Sequence, residues 1–390
     1  MNAADIPVLS IMLAIPVVAA AFCLFVRAEQ ARVIALVATL ANLALGVVLW
    51  LSYDPAGAQW QFTEAATLFG PIGWRLGIDG ISLTLIMLSV FLMPICIGAS
   101  WTSIQKRVGE YMAAFLLMET LMIGVFAAQD LLLFYIFFEA GLIPMYLIIG
   151  IWGGPNKIYA AFKFFLYTLL GSLLMLVALI YLYTQSGGSF DLVAWYKLPL
   201  SMGAQTLLFF AFFAAFAVKV PMWPVHTWLP DVHVEAPTGG SAVLAAIMLK
   251  LGAYGFLRFS MPIAPDAAHE YAYVMIALSL IAVIYVGLVA MVQQDMKKLV
   301  AYSSVAHMGF VTLGFFIFNP LGVSGGLVQM IAHGFVSAAM FLSIGVLYDR
   351  VHSREISSYG GVVNTMPKFA AFALLFAMAN YGLPGTAGFV

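Results

Sequence analysis

The sequence predicts an all-α polytopic membrane protein, and three observations carry that class. Of its 390 residues, 64% are hydrophobic and only 8% are charged, whereas an ordinary soluble domain carries about 25% charged residues. The apolar residues form long runs, such as Ile136–Ile149, interrupted by a charge only at Glu139, and Leu173–Leu182, and not the short alternating segments of a membrane barrel. Twelve helices of ~20 residues would use about 240 residues, close to the hydrophobic share of the chain. With 16 Lys+Arg against 17 Asp+Glu, the net charge of −1 offers no basic surface for nucleic acid. So apolar a composition also excludes a disordered chain.

Each span has a local reason. Residues 8–26 form the first apolar run. No Lys or Arg precedes Arg27, so the basic start of a cleaved signal peptide is missing and the run reads as a retained helix. Residues 32–52 and 80–100 end near Trp50 and Trp101, where an aromatic belt places them. Residues 111–128 and 131–150 are joined by the short turn Gln129-Asp130, and Trp152 lies just beyond. The runs 159–184, 205–228, 236–258, 271–293, 299–318 and 323–348 follow, and a last run starts at residue 366. It is still apolar through YGLPGTAGFV, so it reads as an unfinished span of a truncated polypeptide. Loops 53–79 and 185–204 are the longer connections, and no soluble domain is inserted.

Basic residues set the expected orientation. Arg27, Arg32, Lys106, Arg107, Lys157, Lys297, Lys298, Arg350, Arg354 and Lys368 follow odd-numbered spans, against Arg75, Lys197 and Arg258 on the other side. This bias places the odd-to-even loops in the cytoplasm or matrix and the N-terminus outside.

The ionisable residues inside spans are the candidate functional groups, since a charge at the bilayer centre costs at least ~2.5–3.5 kcal/mol. Glu119 and Glu139 each lie about ten residues from the Gln129-Asp130 turn, hence ~15 Å deep at about 1.5 Å per residue. Lys219 precedes Pro221 and Pro224. Each proline deprives the carbonyl four residues back, Ala217 or Val220, of its helical partner. The helix should break there, and broken helices at membrane depth line polar cavities. Lys250 is interior to the next span, and His307 and His333 lie at comparable depth in theirs. Histidine titrates near neutral pH and suits proton transfer. Lys163 is only four residues into its span. The alternative for each such charge is a structural ion pair that locks two helices.

Leu383-Pro384-Gly385 interrupts span twelve as Pro221 interrupts span seven. The two are five spans apart, which implies two inverted five-helix repeats, each with one broken helix. No nucleotide-binding loop is present, and no Cys or His cluster for iron–sulfur or haem. Cys23 and Cys96 lie in separate apolar runs, so neither a disulfide nor a metal site is expected. The expected work is moving ions or protons, driven by a gradient or a partner.

These residues carry a resemblance. DLLLFYIFFEAGLIPMYLIIGIWG (130–153) and AVKVPMWPVHTWLPDVHVEAPTGGSAVLAAIMLKLGAYGFLRF (217–259) resemble the antiporter-like subunits of respiratory complex I. DMKKLVAYSSVAHMGF (295–310) and LPGTAGF (383–389) are similar to the same family, and LPDVHVEAPTGGS is most like its subunit M (chain 4) members. The resemblance implies a proton-translocating subunit of NADH:quinone oxidoreductase with no redox chemistry and no cofactor or metal of its own. FMN, iron–sulfur clusters and quinone would belong to partner subunits, with the antiporter-like subunits L and N as neighbours. It implies three helices over 1–110, a first repeat over 111–260 (helices four to eight) and an inverted, incomplete second repeat over 270–390.

By position, Glu139 would be the helix-five carboxylate paired with Lys219, and Glu119 an auxiliary carboxylate. Lys250 would be the central lysine, with His307 and His333 continuing the axis. The family's helix-twelve ionisable residue would follow Val390. The implied location is the bacterial inner membrane, or the mitochondrial inner membrane if organellar. A subunit of a multi-subunit Na⁺/H⁺ antiporter (Mrp type), a membrane-bound hydrogenase subunit and a non-conducting scaffold are the alternatives. Co-purification with NADH-oxidising, iron–sulfur-bearing subunits is the outcome expected for complex I; isolation with antiporter subunits alone would reject it.

Overall fold

A computed structural model describes residues 6–69 and 72–389. Among them, ten helices are long and apolar enough to cross a membrane, and two shorter apolar helices, Val8–Cys23 and Pro367–Asn380, occupy the first and last expected spans. The helices are α1 (Val8–Cys23), α2 (Ala28–Ser52), α3 (Gly80–Ala99), α4 (Val108–Ala127), α5 (Leu131–Ala140), α6 (Leu142–Trp152), α7 (Lys157–Gln185), α8 (Leu192–Trp195) and α9 (Met202–Lys219). After them come α10 (Trp228–Glu235), α11 (Thr238–Ile263), α12 (Pro265–Glu270), α13 (Ala272–Met291), α14 (Met296–Phe316), α15 (Pro320–Val351), α16 (Val362–Thr365) and α17 (Pro367–Asn380). Several begin where a short polar side chain takes the orphan N–H groups of the first turn: Asp79 before α3, Asp130 before α5, Asp295 before α14 and Asn319 before α15. The chain forms two compact units.

The first unit comprises Met1–Ile148, Thr168–Ala215 and Tyr254–Ala267. In it α1 packs along α4 and α2, and α3 packs against α2 and α4. The 53–79 loop holds an antiparallel hairpin, β1 (Gln61–Phe69) and β2 (Ile72–Ile78), paired from Gln61 opposite Ile78 to Phe69 opposite Ile72. Sequence gave no alternation to announce it, because its anchor is a distant helix end. The Glu64 carboxylate accepts from the backbone N–H of Leu9 (2.7 Å) and Ser10 (3.0 Å), and the Trp74 indole donates to the Ser10 hydroxyl (2.8 Å). The residue before α1 is Pro7, which makes no side-chain cap. Glu64 therefore supplies the anion that a helix N-terminus favours.

The second unit comprises Ile149–Tyr167, Phe216–Ala253 and Ala268–Val390. Here α14 runs along α15 and α13. The start of α11 and α17 pack on α15, and α10 packs on α14.

Three expectations are refined. The seventh span, expected over 205–228 with a break beside Lys219, is divided there: α9 stops at Lys219 and α10 begins only at Trp228. The carbonyls near the break find new donors: Met222 N–H gives to Ala217 (2.7 Å) and the Trp228 indole to Val218 (2.9 Å). Span five crosses as one helical stretch, Leu131–Trp152, with a single turn residue at Gly141, next to the Ala140 carbonyl that Pro144 cannot serve. Arg258, counted as a loop charge, lies inside α11. It is buried with Asp79 at 2.5 Å and sits over the Trp60 ring at 4.6 Å.

Asp130 carries the most local weight at the hairpin. Its carboxylate accepts from Leu132, Leu133 and Gly73 N–H groups, at 3.1, 3.1 and 3.0 Å. Burial pushes this carboxyl above its ordinary range despite those bonds. Asp130→Ala should cost about 1–2 kcal/mol through the lost cap, read as a lower unfolding temperature of the assembled complex. Asp130→Asn, which keeps the acceptor oxygen, should recover most of the loss.

Candidate functional site

In the second unit, α11 opens into a wide turn over Leu244–Met248, with each carbonyl reaching five residues ahead. That widening presents the Ala245 carbonyl to the Lys250 ammonium, which donates to it at 2.7 Å. Lys250 is fully buried, and its Nζ also lies 2.7 Å from Nδ1 of His333, itself buried on α15. With Lys250 as donor, His333 accepts on Nδ1 and carries its ring hydrogen on Nε2. The His307 ring on α14 is next, 5.4 Å from that of His333 between centroids. Gln329 Nε2 donates to His307 Nδ1 at 3.0 Å, and Asn380 is a polar neighbour of the His307 ring. Asn380 ends α17, three residues before Leu383-Pro384-Gly385, where the expected break falls. A cavity of about 490 Å³ opens beside His307 and Gln329, lined also by Gly326 and Tyr381.

Three of the expected site residues are thus brought together: Lys250, His333 and His307. A 2.7 Å donor–acceptor contact is within reach for direct proton transfer, and an imidazole can accept on one nitrogen and release from the other. Lys219 belongs to the same unit. It ends α9, is buried, and its Cβ lies where Gly252 of α11 passes: a Cβ on Gly252 would meet Lys219 Cβ at 2.9 Å and the Phe216 carbonyl at 2.7 Å. Only glycine permits that approach. Lys163 forms an ion pair, its Nζ 2.6 Å from Asp231.

Glu119 and Glu139 belong to the first unit. Glu119 is fully buried on α4, and its hydrogen bond comes from Asn42 of α2 at 3.2 Å. Glu139 is half-buried at the end of α5, beside the Gly141 turn. Like Lys219, it sits next to a carbonyl that a proline leaves without its helical partner.

Asn42, Gln329 and Asn380 were not singled out from sequence. An amide inside an apolar span is the signal that could have found Asn42. His233 was also missed: it is buried on α10 and stacked on Phe341, with ring centroids 4.4 Å apart. Among the described residues, no group of three or more His, Cys, Asp or Glu is placed to hold a metal ion.

A helical membrane bundle with a helix broken beside a buried lysine, and with a lysine–histidine line in its interior, has the features of a membrane transport protein. The chain belongs to the NADH:quinone oxidoreductase/Mrp antiporter transmembrane family, which residues 128–390 match, and its residues 9–127 match the amino terminus of NADH-ubiquinone oxidoreductase chain 4. It is 55% identical over 376 residues to NADH-quinone oxidoreductase subunit M of Rhodobacter capsulatus, covering 93% of this chain and 73% of the relative. A chain of respiratory complex I from Thermus thermophilus superposes with a TM-score of 0.89 at 35% identity, over 98% of this chain and 80% of that one. A chain of the Mrp complex from Dietzia shares the fold, with a TM-score of 0.85 at 23% identity, over 98% of this chain and 42% of that one.

Gly252→Ala should push the Lys219 backbone and side chain out of place, at about 1–3 kcal/mol of overpacking. The expected result is proton pumping several-fold lower in assembled complex. Gly98→Ala, on α3 with open space around it, should leave pumping unchanged.

Proposed function

We propose that this chain is a proton-translocating membrane subunit of NADH:quinone oxidoreductase, and that Glu119, Glu139, Lys219, Lys250, His333 and His307 carry or balance the translocated proton. The observation that carries this reading is the 2.7 Å contact between Lys250 Nζ and His333 Nδ1 in a fully buried setting, with the His307 ring next to it. A buried ammonium held by one carbonyl and one imidazole has a proton acceptor in direct reach. A scaffold with purely structural charges would need counter-charges, as Lys163 has in Asp231.

In this mechanism Glu139 balances the charge of protonated Lys219. When that balance is withdrawn, Lys219 gives up its proton toward Lys250. Lys250 passes it to Nδ1 of His333, which releases a proton from Nε2 toward His307. Quinone reduction in partner subunits supplies the drive. The oxidoreductase chemistry, with FMN and iron–sulfur clusters, lies in those subunits, and the neighbours in the membrane are the antiporter-like subunits L and N. The membrane is the bacterial inner membrane, or the mitochondrial one in an organelle, with the N-terminus outside. The repeats proposed for 111–260 and 270–390 place one broken helix in each. An Mrp-type antiporter subunit has less support, since the likeness to the Mrp complex is one of fold at 23% identity.

Glu139→Gln should abolish proton pumping coupled to NADH oxidation in vesicles, measured as a pH-indicator response, while the complex still assembles. Full pumping in that variant would sink the mechanism. Lys250→Met should likewise stop pumping, with His333→Ala close behind.

A further inference from the structure

We infer that Asn42 and Glu119 form a closed amide–acid pair that holds Glu119 as a carboxylic acid, with Asn42 as its positioning residue. This rests on the reading of Glu119 as a proton-carrying group, and adds how its proton is held. Both side chains are fully buried. The Asn42 amide nitrogen has two hydrogens, and both are used: one goes to the Met12 carbonyl at 3.0 Å, the other to Glu119 Oε1 at 3.2 Å. The Met12 carbonyl is available because Pro16, four residues on in α1, has no N–H to offer it.

Two buried atoms then lack any hydrogen-bond partner among the described residues, Asn42 Oδ1 and Glu119 Oε2. With Glu119 ionised both are acceptors buried without a donor, the costly arrangement for a polar group. One proton on Oε2 serves both. A primary amide and a carboxylic acid pair through two antiparallel bonds, amide N–H to acid carbonyl and acid O–H to amide carbonyl. The first is the observed Nδ2–Oε1 bond; the second joins the two unserved atoms. Turning the amide over would not achieve this, because Oδ1 would then face the Met12 carbonyl, oxygen against oxygen. Met12 therefore fixes the amide's orientation independently of Glu119. No ion pair to Glu119 occurs among the described residues, so no cation compensates an ionised form.

On release, the O–H bond of Oε2 breaks, the proton passes to the next acceptor, and the electron pair stays on the carboxylate. One Asn42 N–H remains on Oε1 in both states, so the side chain keeps its place while the proton moves.

The test is infrared difference spectroscopy on the whole complex near neutral pH. Wild type minus Glu119→Gln should show a carboxylic-acid carbonyl band, lowered by the Asn42 bond. Carboxylate bands in its place would overturn the proposal, whether or not a water bridges the pair. In Asn42→Leu that band should move toward the free-acid position or give way to carboxylate bands; an unmoved band would also overturn it. Asn42→Ser, smaller and still polar, carries the same test if the leucine variant fails to assemble. Proton pumping by Glu119→Gln is measured alongside. An acid band with unimpaired pumping would keep the pair and reject the place of Glu119 in translocation.

Discussion

Hydrocarbon offers a backbone carbonyl no partner, and that one constraint organises this protein. Where a proline removes an N–H within a span, a carbonyl must find another donor, and several candidate functional side chains lie at such places. Pro16 releases the Met12 carbonyl, which takes Asn42, and Asn42 holds Glu119. Pro221 releases the Ala217 carbonyl, which takes the Met222 N–H, and Lys219 lies between them. Pro144 leaves Ala140 beside Glu139. The Met12 and Ala217 carbonyls are thus served by protein groups, next to polar side chains at a depth where lipid would otherwise exclude them.

The lysine–histidine line depends on a different device. A wide turn in α11 turns one carbonyl toward Lys250, and α15 brings His333 to the other side of the ammonium. Among the described residues, Lys250 is thus bound without a carboxylate. A counter-ion would hold its proton; a carbonyl and an imidazole solvate the ammonium and leave a route for the proton to leave. Where this protein needs a fixed charge it uses an ion pair instead, as Arg258 with Asp79 and Lys163 with Asp231. The two arrangements differ in their partners: paired carboxylates for Arg258 and Lys163, neutral acceptors for Lys250.

Much of this was legible in the residues. The twelve spans, the break at Lys219 and the interior positions of Glu119, Glu139, Lys250, His307 and His333 follow from hydropathy, proline chemistry and helix rise, which are local properties. The hairpin, the Gly141 turn and the roles of Asn42, Gln329 and Asn380 were not read. Glu64 reaches α1 across 55 positions and Asn42 reaches Glu119 across 77, and such distances leave no periodic trace.

The amino-acid sequence by itself determined the class, an all-helical membrane protein with four isolated charges and two histidines at similar depth, because burying a charge in hydrocarbon is costly enough to make each one conspicuous. Only the tertiary structure decided which of them meet. His333 touches Lys250 because α11 and α15 pack together with a widened turn between them, and Glu119 meets an amide from α2. Depth is set along one helix, but contact is set by rotation and packing between helices, and that information resides in the assembled fold.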